Sequence, residues 1–153
     1  MRLVKFLCRP PSAAAATGKA PAYLFLFSRT QPYAPGVVFP DHDPKTAGAY
    51  HAGDVPYWLD TQDAFNIFRV TRNWEGYDRG LAAKMSDVVI AFAKTNPSTP
   101  AVKMVRYNAA DEQLVEFGDS IQVVKMNTKG LDFIANTPAS GGGGRGGRGG
   151  RCQ

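Results

Sequence analysis

The chain is poor in the residues that build covalent or metal frameworks. It has two cysteines in 153 residues, Cys8 and Cys152, one in each terminal segment. Without a CxxC spacing they set up neither a disulfide framework nor a metal site. Histidine is equally scarce, at His42 and His51. No spacing implies a metal or a cofactor. No apolar run approaches the ~20 residues of a membrane-spanning helix. The opening Met1–Pro11 begins like a secretory signal, but Arg9 and Pro10 break its apolar run before it reaches the needed length. The sequence leaves the compartment open. Acidic residues are missing from both ends. Of the 18 Lys and Arg, four fall in residues 1–20 and three in residues 141–153, which leaves eleven beside all 13 acids in residues 21–140. The formal charge of +5 therefore belongs to the termini, and the body is slightly acidic. That balance argues against a polyanion-binding groove across the body.

What the chain does have is a globular composition, 44% hydrophobic and 11% aromatic, and enough length for one domain with a core. Its most informative stretch runs from Gly48 to Tyr57. His51 is framed there by the small residues Gly48, Ala49, Ala52 and Gly53, which allow sharp turns and close backbone approach. Imidazole carries a proton readily near neutral pH, so His51 is the candidate proton carrier.

In chain order, Ala22–Phe27 is continuously apolar and aromatic and predicts a strand buried on both faces. Residues 29–50 hold Pro32, Pro35, Pro40 and Pro44 and predict a long, stiffened loop. Loops beyond ~12–15 residues in a compact domain are usually functional or disordered, and this one delivers His51. His42, in Asp41-His42-Asp43, reads as a solvated loop histidine, since a metal site needs more ligands than are visible. Tyr57, Trp58, Phe65 and Phe68 form an aromatic run that suits either packing or the wall of an apolar pocket; Tyr57, Trp58 and Phe68 are the candidate pocket residues. Asn73–Thr95 predicts a helix capped by Asn73, with an apolar stripe of Tyr77, Leu81, Met85, Val88, Val89 and Phe92. Gln113–Phe117 and Ile121–Met126 predict a hairpin about Gly118-Asp119-Ser120, and Thr128–Asn136 a short final helix. The glycine/arginine run from Gly141 cannot form a packed structure.

A catalytic histidine needs a nucleophile and an orienting acid. The nucleophile elbow GxSxG is absent from the chain. The motif around His51 nevertheless resembles one family. Type-B carboxylesterases, of the α/β-hydrolase superfamily, carry G-A-aromatic-H-x-x-E/D-hydrophobic-P-Y/F at their catalytic histidine. This chain has it as Gly48-Ala49-Tyr50-His51-Ala52-Gly53-Asp54-Val55-Pro56-Tyr57. Tyr23–Phe27 resembles the family's upstream strand. Trp74, Asp78-Arg79, Met85 and Phe92–Pro97 resemble its long helix and exit, and Leu114–Asp119 its late strand and turn.

The resemblance covers residues 18–136 and is to the C-terminal part of that family. It implies an α/β fold in part: one or two buried strands of an incomplete sheet, a long amphipathic helix and a terminal hairpin. It implies that His51 is the base and acid of a Ser-acid-His triad acting on a carboxylic ester. Asp54 matches the family's acidic position after the histidine, which is not its triad acid. The family's serine, triad acid and oxyanion loop belong upstream, so the expected partner is a complementary N-terminal half, without which the segment is inactive. On this reading residues 1–17 lie outside the family, 18–138 form the esterase segment and 139–153 a disordered tail. The isolated chain is then expected to aggregate or to pair with its complement. Two other readings are a non-catalytic interaction domain on an esterase scaffold and RNA binding through Arg145, Arg148 and Arg151. The second is disfavoured because no aromatic residue lies between these arginines. No membrane contact is expected.

Overall fold

The computed structural model describes residues 21–94, 97–108, 110–127 and 129. The final helix expected over Thr128–Asn136 and the Gly/Arg tail fall outside the described residues, apart from Lys129. The elements are β1 (Phe25–Phe27), α1 (Val55–Trp58), a 3-10 turn over Gln62–Asn66, α2 (Gly76–Lys94), β2 (Gln113–Phe117) and β3 (Ile121–Lys125). No described helix is long and apolar enough to cross a membrane.

The three strands form one sheet in the order β1-β2-β3. β1 lies parallel to β2 with Leu26 opposite Glu116, and β2 returns antiparallel to β3 with Val115 opposite Val123. Parallel strands need a long crossover. Everything from Ser28 to Glu112, including the His51 loop and α2, is that crossover. Leu26 and Phe27 are both buried although they point to opposite faces, as the continuous apolar run predicts. The strand is shorter than Ala22–Phe27 because its first residues pair elsewhere: Tyr23 bridges Arg106, and Tyr107 N–H donates to Ala22 C=O at 2.8 Å.

Phe27, Tyr57, Leu81, Ala82, Met85, Val88, Val102, Met104, Val115 and Phe117 make the core. α2 gives it Leu81, Ala82, Met85 and Val88, spaced at helical periodicity. The stripe differs from the predicted one at both ends. Val89 and Phe92 lie exposed, Phe92 with its ring edge-on to Tyr23 at 6.5 Å. Tyr77 is exposed at the first turn, and its hydroxyl donates to Gly118 C=O at 2.8 Å.

Asp78, rather than an apolar residue, opens the buried face. It is fully buried and accepts a guanidinium fork from Arg29, Nε to Oδ1 at 2.9 Å and Nη2 to Oδ2 at 3.1 Å. Tyr57 Oη also donates to Oδ1 at 2.7 Å, and Glu75 N–H reaches Oδ2 at 3.4 Å. The last contact ties Asp78 to the helix start, a task the sequence assigns to Asn73; α2 begins three residues after that asparagine, too far on for its side chain to cap. Arg29 Nη1 meets Asp119 Oδ1 at 2.7 Å. One cation thus joins the end of β1, the start of α2 and the β2–β3 turn. The Asp78 carboxylate raises the Arg29 guanidinium above its already high ordinary value.

Burial and the Asp78 hydrogen bond push the Tyr57 phenol well above its usual range. A raised phenol pKa stabilises the fold fully below the unfolded value of about 10 and less and less as pH climbs from there toward the folded value. Urea midpoints should therefore fall with rising pH above about 10, and Tyr57→Phe should flatten that part of the profile.

Gly118 closes the hairpin beneath Ser28. A Cβ there would collide with Ser28 Oγ, which is itself held to Glu116 Oε1 at 2.6 Å. Gly118→Ala should cost about 1–3 kcal/mol in urea unfolding. In the Ser28→Ala background the same change should cost much less, because the obstructing oxygen is gone.

Candidate active site

The His51 turn is built by its small residues. Gly53 N–H donates to Tyr50 C=O at 3.0 Å, closing a four-residue turn in which His51 and Ala52 are the middle positions. Ala52 sits at φ +63°, a left-handed conformation that costs an L-residue about 1–2 kcal/mol. A Cβ on Gly53 would lie 3.0 Å from the Tyr50 carbonyl oxygen, so this position favours glycine. Val55–Trp58 follows at once as α1, with Pro56 in its first turn. The strained, closed turn throws the His51 side chain outward, where it is exposed.

His51 makes no hydrogen bond or ion pair with a described residue. Asp54 is not turned toward it: Asp54 Oδ2 accepts from Trp58 Nε1 at 3.0 Å, one turn along α1. Among the described residues His51 therefore has neither a nucleophile to activate nor an acid to orient it. Its imidazole can take up and return a proton, and the face it offers is open.

The turn is fixed from behind by a buried polar cluster. Gln31 Nε2 donates to Gly53 C=O at 2.9 Å, and Tyr50 Oη donates to Gln31 Oε1 at 2.8 Å. Arg72 donates through Nε to Gln31 Oε1 at 2.6 Å and through Nη2 to Tyr50 Oη at 3.1 Å. Sequence reasoning missed Gln31 and Arg72. The partners are 41 residues apart, and neither residue belongs to a motif or an apolar periodicity.

The candidate pocket residues are not brought together. Tyr57 is 0% exposed and belongs to the core, 5.0 Å from Phe27 ring to ring. Trp58 is half-buried, edge-on to Phe25 at 4.8 Å and to Phe117 at 5.5 Å. Phe68 is 99% exposed, at the tip of a loop whose base Asn66 clamps through Oδ1 to the Thr71 and Arg72 N–H groups. Neither of the two described clefts is lined by any of the three; both are formed by the proline-rich loop between Thr30 and Lys45.

His42 departs from the solvated loop histidine expected. It is half-buried, stacked on Phe39 at 4.4 Å, and bonded to Tyr33 Oη at 3.2 Å and Asp41 Oδ1 at 3.1 Å. Burial raises the Tyr33 phenol above its ordinary value, against the lowering effect of Arg72. No group of described residues could hold a metal ion.

The fold is similar to that of a PNB esterase in two solved structures. One shares 21% identity with a TM-score of 0.58, over 80% of this chain and 23% of that one. The other shares 22% identity with a TM-score of 0.51, over 75% of this chain and 21% of that one. The fold is α/β-hydrolase-like. The chain spans less than a quarter of the length of those esterases, and the small three-stranded sheet of its described residues is consistent with a partial domain. No protein-family model matches the chain, and no curated protein sequence matches it.

Proposed function

We propose that this chain is the histidine-bearing segment of a type-B carboxylesterase, with His51 as the general base and acid of a Ser-acid-His triad. One observation carries the reading: on an esterase-like strand–loop–helix frame, a closed turn holds His51 outward with its imidazole open. In the reaction, His51 takes the proton of a serine hydroxyl as that oxygen attacks the ester carbonyl, and returns it to the departing alcohol. The serine, the orienting acid and the oxyanion donors come from a complementary segment, because GxSxG is absent from this sequence.

The free edge of β1 is where such a segment would join. β1 bonds to β2 through Leu24 C=O and Ser28 N–H. In a parallel ladder the residues between alternate, so the backbone groups of Phe25 and Phe27 point away from β2 and meet no described partner. An apolar strand with an open edge calls for another strand. Of the candidate pocket residues, Phe68 alone keeps a free ring to offer an ester pocket completed from outside.

The test is hydrolysis of p-nitrophenyl butyrate by a chimera in which residues 21–127 replace the matching segment of the PNB esterase. Hydrolysis that depends on His51 is expected. A folded chimera whose rate is indifferent to His51→Ala would end the reading.

A further inference from the structure

Arg72 is 4% exposed and has no ion pair with a described carboxylate. Burying an unpaired charge is costly, so its compensation shows what the cation is used for. The charge is met by aromatic faces, with Tyr33 at 4.1 Å and Phe39 and Phe65 each at 5.3 Å from the guanidinium carbon. Its N–H groups go to neutral oxygens: Gln31 Oε1, Tyr50 Oη and, from Nη1 at 3.2 Å, Thr71 C=O. Asn66 Oδ1 holds the Arg72 backbone N–H at 3.0 Å, which fixes where the side chain starts.

The direction of these bonds matters. A guanidinium only donates. Arg72 therefore forces Gln31 to turn its Oε1 inward, which leaves Nε2 facing Gly53 C=O at the end of the His51 turn. The same cation occupies the acceptor side of Tyr50 Oη, so that hydroxyl must donate, and it donates to Gln31 Oε1. Tyr50 opens the turn and Gly53 closes it. Both ends are thus set by one buried cation, and His51 lies between them.

We propose that Arg72 is a positioning residue for His51, acting through Gln31 and Tyr50 to hold the Tyr50–Gly53 turn in one geometry. The proposal rests on the reading of His51 as a proton carrier for its functional meaning. The fork is essential to it: lysine offers a point charge on a flexible stem and cannot address Gln31 and Tyr50 in one plane.

Amide exchange and imidazole NMR on the full chain provide the test. In Arg72→Met, the Gly53 amide should exchange about tenfold faster relative to the Val115 amide, which bonds to Leu24 C=O in the sheet. The His51 Cε1–H resonance should broaden or divide as the turn samples several geometries. Arg72→Lys should not restore either signal. Tyr50→Phe, which removes a single hydroxyl, should give the same local loss at smaller amplitude, and it decides the matter if Arg72→Met does not fold. Equal acceleration of Gly53 and Val115, or an unchanged His51 resonance, would make Arg72 a packing residue and overturn the proposal. Activity does not enter this experiment. Equal acceleration would leave the catalytic reading of His51 intact, and failure of the chimera assay would leave the exchange result intact.

Discussion

Asp78→Ala is expected to lower the unfolding free energy by about 3–5 kcal/mol, a large part of the 5–15 kcal/mol of a typical domain. The size follows from what is left behind. Asp78 is fully buried and serves three donors, Arg29, Tyr57 and the Glu75 N–H. Without it the Arg29 guanidinium, whose side chain is only 16% exposed, keeps two exposed carboxylates, Asp119 at 2.7 Å and Glu75 at 3.7 Å, which are 88% and 63% exposed. A surface partner of that kind contributes at most about 1 kcal/mol. The Tyr57 hydroxyl is left buried without its acceptor, a further desolvation cost. The damage reaches three elements at once, because the fork links β1, α2 and the β2–β3 turn.

Asp78→Leu combined with Arg29→Met should be milder than either single change, since removing both charges leaves neither buried alone. Urea unfolding followed by the fluorescence of Trp58 and Trp74 measures this. A loss below about 1 kcal/mol in Asp78→Ala would mean that the fork is not a stabilising joint.

The second large effect concerns His51. In an assembled esterase, loss of the triad base removes proton transfer at both attack and departure. His51→Ala should lower kcat on p-nitrophenyl butyrate by about 10⁴-fold or more, with KM little changed. Unchanged KM is expected because a general base acts on the serine proton in the transition state and not on the bound ester. The chain on its own is expected to show no hydrolysis above background.

Much of the fold was legible in the sequence. β2 is found where alternation and the glycine turn place it, β3 stops one residue short of its predicted end, and α2 begins three residues after its predicted start. Apolar periodicity is a local signal, and β2 and α2 bury an apolar face; β3, which has no fully buried residue, is placed by the turn that pairs it with β2. The His51 turn was legible because its small residues, Gly48, Ala49, Ala52 and Gly53, lie within six positions of one another. What the sequence hid is polar and long-range. Arg29 and Asp78 are 49 residues apart, and Gln31 and Arg72 are 41 apart. No periodicity links them, and each taken singly reads as a surface residue. Tyr57 shows the same limit of a local signal. Its ring satisfies the pattern of a pocket wall, but its hydroxyl has a buried carboxylate to meet, and that carboxylate lies on another element. The exposed Val89 and Phe92 show the complementary error: the helix carries more apolar residues than the described residues bury.

The central claim is that His51 is a triad base presented by a fixed turn. It is tested most directly by the rate of p-nitrophenyl butyrate hydrolysis in the PNB esterase chimera, with and without His51→Ala, on protein that melts cooperatively. The account predicts hydrolysis that falls by about 10⁴-fold or more when His51 is replaced. A cooperatively folded chimera that hydrolyses the ester equally well with alanine at that position, or does not hydrolyse it with His51 in place, would contradict it.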